Sequence, residues 1–160
     1  MTLDRYRGAL VGLALGDALG APYEFRAPPF TVEAVFRTGV FGTPPGHPTD
    51  DSTLALFAAE AVLEPGDWPA GYTRRLVAWM QSGPPDIGKQ TSRAAQSWAA
   101  GAAPEPNQAA QGNGSLMAVT PVVLRFAADH DRARSSAADF AGLTHPSDVP
   151  RPQRPVRRSP

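Results

Sequence analysis

The tetrapeptide Thr49-Asp50-Asp51-Ser52, inside PTDDSTLALFAAE, sets two carboxylates between hydroxyl side chains just before an apolar, helix-like run. Adjacent acids held in non-helical backbone can converge on a hard cation, and the threonine hydroxyl adds a neutral oxygen. Such an all-oxygen donor set suits Mg2+, Ca2+ or Mn2+. The same residues also suit an ordinary helix start, because acids favour the positive N-terminal end of a helix by about 0.3–1 kcal/mol. Taken alone, the tetrapeptide reads first as a cap. His47 lies close by, but a lone histidine is more often a hydrogen-bonded residue than a ligand.

Three other stretches carry polar groups in suggestive places. Gly16-Asp17-Ala18-Leu19-Gly20, followed by Glu24, puts an acid inside a glycine-rich apolar helix end. Asp17 there needs partners if it is buried, so it is either satisfied locally or lines a polar site. Gly112-Asn113-Gly114-Ser115 precedes a helix, and free backbone N–H groups at such a start can hold an anion, typically phosphate. A plain turn and cap is the alternative. Gly83–Lys89 fits G-x-x-x-x-G-K, the opening of a phosphate-binding P-loop. However, Gln90 stands where Ser or Thr should hold Mg2+, and the preceding YTRRLVAWMQS reads as helix rather than strand. No Ser-His-Asp arrangement can be assigned from spacing. Basic residues are not interleaved with aromatics as nucleic-acid binding requires.

The elements that must position these groups are helical. Alanine and leucine are abundant and β-branched clusters few, so the composition predicts an all-α fold. Helices are expected over about 3–19, 52–63, 69–81, 86–100, 115–128 and 132–143, with Asp86 as a plausible cap and Pro121 as a kink or late start. Residues 21–48 read as a long ordered loop. Gly8, Gly12, Gly16 and Gly20 fall on one side of the first helix, which predicts close approach of another backbone or of a ligand.

A chain of 160 residues suits one domain, with fifteen basic residues balancing fifteen acidic ones. That balance gives no pointer to a nucleic acid or a membrane surface. The absence of cysteine excludes disulfides, thiolate metal sites and cysteine nucleophiles, with the cytoplasm as the default compartment. The N-terminus resembles a signal peptide in outline, yet Asp4 and Asp17 interrupt it. Its apolar part is also too short to span a bilayer.

Five motifs in order resemble the ADP-ribosylglycohydrolase family: GALVGLALGDALGAPYE (8–24), PTDDSTLALFAAEAVL (48–63), DIGKQTSRAAQSWAAG (86–101), GNGSLMAVTPVVLRF (112–126) and THP (144–146). Each is short, but their number, order and spacing make the likeness specific. The resemblance implies a compact all-α domain with a two-ion Mg2+ or Mn2+ centre. It also implies hydrolysis of the glycosidic bond joining ADP-ribose to a protein side chain or small molecule. Carried over residue by residue, it makes Thr49, Asp50 and Asp51 metal ligands and tips the tetrapeptide from cap to ligand. Asp50 and Asp51 then act catalytically together with Glu24, which matches a loop glutamate near the metals. Asn113, Gly114 and Ser115 match the loop holding the ADP-ribose phosphates, and His145 a histidine lining the ligand site. Asp17 joins them as a substrate-binding candidate.

Two departures stand out. Ala118 replaces a common arginine, and the family's later Gly-Gly-Asp-x-Asp-(Thr/Ser) ligand motif is not found. Residues 1–146 therefore read as the N-terminal portion of such a domain and 147–160 as a disordered Pro/Arg-rich tail. The expectation is a truncated or frame-shifted chain with doubtful activity. The alternatives are a non-catalytic ADP-ribose-binding or vestigial protein and, further off, a P-loop NTPase.

Overall fold

The computed structural model describes residues 2–27, 31, 35–107 and 112–147; the tail expected over 147–160 lies outside them from residue 148 onwards. Among the described residues every regular element is helical. They run α1 Leu3–Gly20, a short 3-10 turn Ala21–Tyr23, α2 Asp50–Leu63, α3 Trp68–Gln81, α4 Lys89–Ala99, α5 Gly114–Ala118, α6 Thr120–Arg125 and α7 His130–Thr144.

The central element is α2, which packs against α1, α3, α5 and α6. Its buried residues Leu54, Ala55, Ala58, Ala61 and Val62 recur at helical spacing and form one apolar stripe. Small alanines on that stripe let neighbouring helices approach closely. α2 stops before Glu64-Pro65-Gly66, because the residue ahead of a proline is pushed out of helical backbone and Gly66 takes a φ of +108°. α3 starts at once, with the Asp67 side chain accepting from Ala70 N and Pro69 in the first turn. It turns Tyr72 and Leu76 into the core, where the Tyr72 ring meets Phe140 of α7 edge-on at 4.8 Å. Arg75 of α3 ties back to α2 by pairing with Glu60 and Glu64.

Two expectations need correction. The long helix over 115–128 is two short ones. Pro121 has no N–H to continue the ladder, so the chain restarts as α6 with proline in its first turn. No other backbone approaches the glycine face of α1 among the described residues: a Cβ placed at Gly8, Gly12, Gly16 or Gly20 finds no atom within 4 Å there. Leu3, Val11 and Leu15 on the same helix are also exposed. What α1 buries is its last turn, at Asp17 and Ala18.

Candidate functional site

The buried end of α1 is held on the start of α2. The Asp17 carboxylate accepts four hydrogen bonds: from Thr49 N (2.9 Å) and Ser52 N (3.0 Å), and from the Thr49 (2.5 Å) and Ser52 (2.6 Å) hydroxyls. Three of these donors meet Oδ2 and the Thr49 hydroxyl alone meets Oδ1. Asp17 is therefore engaged with the start of α2. Thr49 sits at the N-cap position but does not cap its own helix. Asp17 instead accepts the first-turn N–H of Ser52, and that of Thr49, across space. Asp50 and Asp51 are the first two residues inside the helix, and neither carboxylate is needed for capping.

Both carboxylates are half-buried at the positive end of α2 and surrounded by like charge. Burial, then Asp51, Asp86, Glu24 and Asp17, push the Asp50 carboxyl up to about 7. Burial, Asp17 and Asp86 push Asp51 up as well. Glu24 is raised by burial, then by Asp51, Asp86 and Asp17. The turn that places Glu24 is well defined. Arg26 N bonds Tyr23 O at 3.1 Å, Phe25 takes the left-handed φ of +61°, and its ring lies edge-on to Phe41 at 6.0 Å. Beneath the cluster, burial and the Asp50 charge hold the Tyr72 hydroxyl neutral.

Asp86 is the member that sequence reasoning missed. It was expected to cap α4, but that helix begins at Lys89 with Gly88 as its N-cap. Its charge is felt instead by Glu24, Asp50 and Asp51. Its place in the DIGKQTS motif was the only signal available.

A second group of residues meets at the other end of the 86–91 segment. Gly112 N donates to Gln90 Oε1 at 3.2 Å. The His145 ring packs against the loop so closely that a Cβ on Gly114 would lie 3.0 Å from its Cε1 and 3.1 Å from its Nε2. A side chain at Gly114 would press on the ring, and one at Gly112 would meet Gln90 Oε1 at 2.8 Å. Thr144 Oγ1 lies 2.8 Å from His145 Nδ1, and burial lowers the histidine pKa, so the ring favours its neutral form. Asn113 is exposed and Ser115 half-buried. With only five residues, α5 has little macrodipole, so an anion here would rest on individual N–H groups and side chains. The Gly83–Gln90 segment joins two helices, whereas a P-loop follows a strand.

The donor set at α2 is hard oxygen throughout. The Thr49 hydroxyl spends its hydrogen on Asp17, which leaves its lone pairs free. Among the described residues no three His, Asp or Glu side chains converge into a complete metal group. Thr49, Asp50 and Asp51 thus fit a divalent cation as part of a shell. No helix among these residues is long and apolar enough to cross a membrane.

A family model described as ADP-ribosylglycohydrolase matches residues 1–150. The chain belongs to the ADP-ribosylglycohydrolase family. The ADP-ribosylarginine hydrolase Tri1 of Pseudomonas putida (strain GB-1) is 33% identical over 134 residues, 76% of this chain and 36% of that protein. The ADP-ribosyl-[dinitrogen reductase] glycohydrolase of Rhodospirillum rubrum is 30% identical over 155 residues, 91% of this chain and 47% of that one. A solved structure described as an "ADP-ribosylglycohydrolase-related protein complex" superposes with a TM-score of 0.76 at 36% identity, over 90% of this chain and 50% of its own. The likeness is therefore to family proteins of which this chain spans half the length or less, and it confirms the all-α fold.

Proposed function

We propose that this member of the family acts in metal-dependent hydrolysis of the glycosidic bond between ADP-ribose and a protein side chain, in the cytoplasm. The observation that carries this reading is the carboxylate cluster at α2. Every charge that moves Asp50 is negative, and the shift brings its carboxyl to about 7. Such an accumulation favours a bound cation.

Thr49 Oγ1 and the Asp50 and Asp51 carboxylates would hold Mg2+ or Mn2+, two ions in the family's complete site. The chemistry supplied by that centre when bound is polarisation of water and stabilisation of charge at the breaking bond. Glu24, with its raised pKa, can hold or accept a proton at its carboxylate while water adds to the anomeric carbon and a proton passes to the departing side chain. The Gly112–Ser115 backbone and the neutral His145 ring would anchor the diphosphate away from the reacting carbon, so that remote binding orients the bond to be cut. The substrate class is an ADP-ribosylated protein or an ADP-ribose-containing small molecule. The name of the Pseudomonas relative makes an arginine linkage the first to try.

The test is release of free ADP-ribose from an arginine-ADP-ribosylated protein. Release is expected with Mg2+ or Mn2+ and none with EDTA. The alternative is ADP-ribose binding without hydrolysis. Binding without release selects that reading, whereas neither binding nor release contradicts both.

Cation binding should also be linked to protons. An Asp50 carboxyl with a pKa of about 7 is largely protonated at pH 6 and must lose that proton to a metal. Mn2+ affinity is expected to rise from pH 6 to pH 8. Calorimetry at pH 6 in buffers of different ionisation enthalpy should show proton release. Affinity that does not change across this range would contradict the assignment.

A further inference from the structure

Asp17 stands in the last turn of α1, where its own helix presents negative carbonyl ends that disfavour a carboxylate. It is nonetheless buried, and all four of its partners belong to the first turn of α2 or the residue before it. The shortest of these bonds to Thr49 comes from the hydroxyl, at 2.5 Å. A hydroxyl has one hydrogen and two lone pairs. Locking the hydrogen onto Asp17 Oδ1 fixes the rotor and turns both lone pairs away from Asp17. The Thr49 and Ser52 N–H bonds to Oδ2 bracket Asp50 and Asp51 in sequence, so one carboxylate sets the backbone on both sides of the acidic pair.

We propose that Asp17 is a positioning residue for a divalent cation at α2. It orients the Thr49 hydroxyl as a neutral oxygen donor and holds the backbone that aims Asp50 and Asp51. This rests on the metal reading given above. Asp17 acts through the Thr49 hydroxyl on Oδ1 and through the Thr49 and Ser52 N–H groups on Oδ2.

A charge effect and a positioning effect can be separated. Mn2+ affinity is measured by calorimetry on the full chain at pH 8, with melting temperature followed in parallel. The wild-type chain binds Mn2+; failure to do so sinks the metal reading itself. Asp17→Asn, which lacks the acceptor capacity for four donors, is expected to weaken Mn2+ binding at least tenfold. Ser52→Ala removes one of the four bonds without touching a proposed ligand. It is expected to lower the melting temperature while leaving Mn2+ affinity within about twofold of wild type. In a Thr49→Val background, most of the Asp17→Asn effect should disappear. An Asp17→Asn loss that is equally large with and without the Thr49 hydroxyl would show that Asp17 does not act through that hydroxyl and overturn the proposal, as would wild-type affinity in Asp17→Asn.

Should Asp17→Asn fail to fold, proton NMR of the wild type decides. The Thr49 hydroxyl proton is expected at low field, exchanging slowly, and retained on addition of Mg2+. Its loss when Mg2+ binds would mean that the hydroxyl turns away from Asp17, against the proposal.

Discussion

Replacing Asp50 with asparagine is expected to stabilise the metal-free chain at pH 8 while removing its affinity for divalent cations. The folded-state pKa of Asp50 is raised from 3.8 to about 7, so folding takes up a proton between those values. The favourable contribution of this group is fully present below about pH 4 and is lost as the pH rises through about 7. At pH 8 the carboxylate is ionised among Asp51, Asp86, Glu24 and Asp17, and folding holds these like charges together. Each pKa unit corresponds to about 1.4 kcal/mol. Asp50 is only partly buried, and solvent screens the repulsion, so the expected gain from an uncharged isostere is about 1–2 kcal/mol. For a chain of this size each kcal/mol moves the melting temperature by about 2–4 °C.

At pH 5 the carboxyl is protonated in the folded state but mostly ionised in the unfolded one, so the gain from asparagine should fall to less than half of its value at pH 8 and vanish only below about pH 4. Thermal unfolding of both chains in EDTA at the two pH values checks this. A variant less stable than the parent at pH 8 would show that Asp50 makes a stabilising contact in the absence of metal. That result would contradict the picture of a site built for a cation at the expense of the apo fold.

Gly114→Ala is expected to weaken ADP-ribose binding about tenfold or more with little change in stability. The added methyl would lie 3.0–3.1 Å from the His145 ring, tighter than ordinary contact, so the ring must move by a few tenths of an ångström. The ring is half-buried at the edge of the fold and can yield, which limits the cost to about 1 kcal/mol or less of stability. Binding is less tolerant, because the ring and the loop N–H groups must meet one diphosphate together. Combining the change with His145→Ala restores the room. In that background Gly114→Ala should have almost no further effect on affinity. Independent, additive losses would mean that the glycine is needed for a reason other than the histidine.

The helical architecture was largely legible in the sequence because apolar spacing and punctuation agree. α2 and α3 follow their patterns closely, and Glu64-Pro65-Gly66-Asp67 marks both the stop and the next start. Two features were not legible for physical reasons. Whether Pro121 kinks a helix or divides it depends on packing around Val119, which no local rule supplies. The partners of Asp17 lie 32 and 35 residues away, so no local pattern could show that its carboxylate caps α2 across space. Asp86 looked like a cap because acids before helices usually are; only the tertiary fold brings it to Asp50 and Asp51. The glycine stripe of α1 shows the same limit, since periodicity marks a face without showing whether a backbone or a ligand covers it.

The central claim is that the carboxylates at the start of α2 hold a divalent cation on which ADP-ribose recognition depends. Titrating ADP-ribose into the chain at pH 8, once with saturating Mn2+ and once with EDTA, tests it most directly. The account predicts binding with Mn2+ that weakens at least tenfold in EDTA. Equal affinity under the two conditions would contradict it.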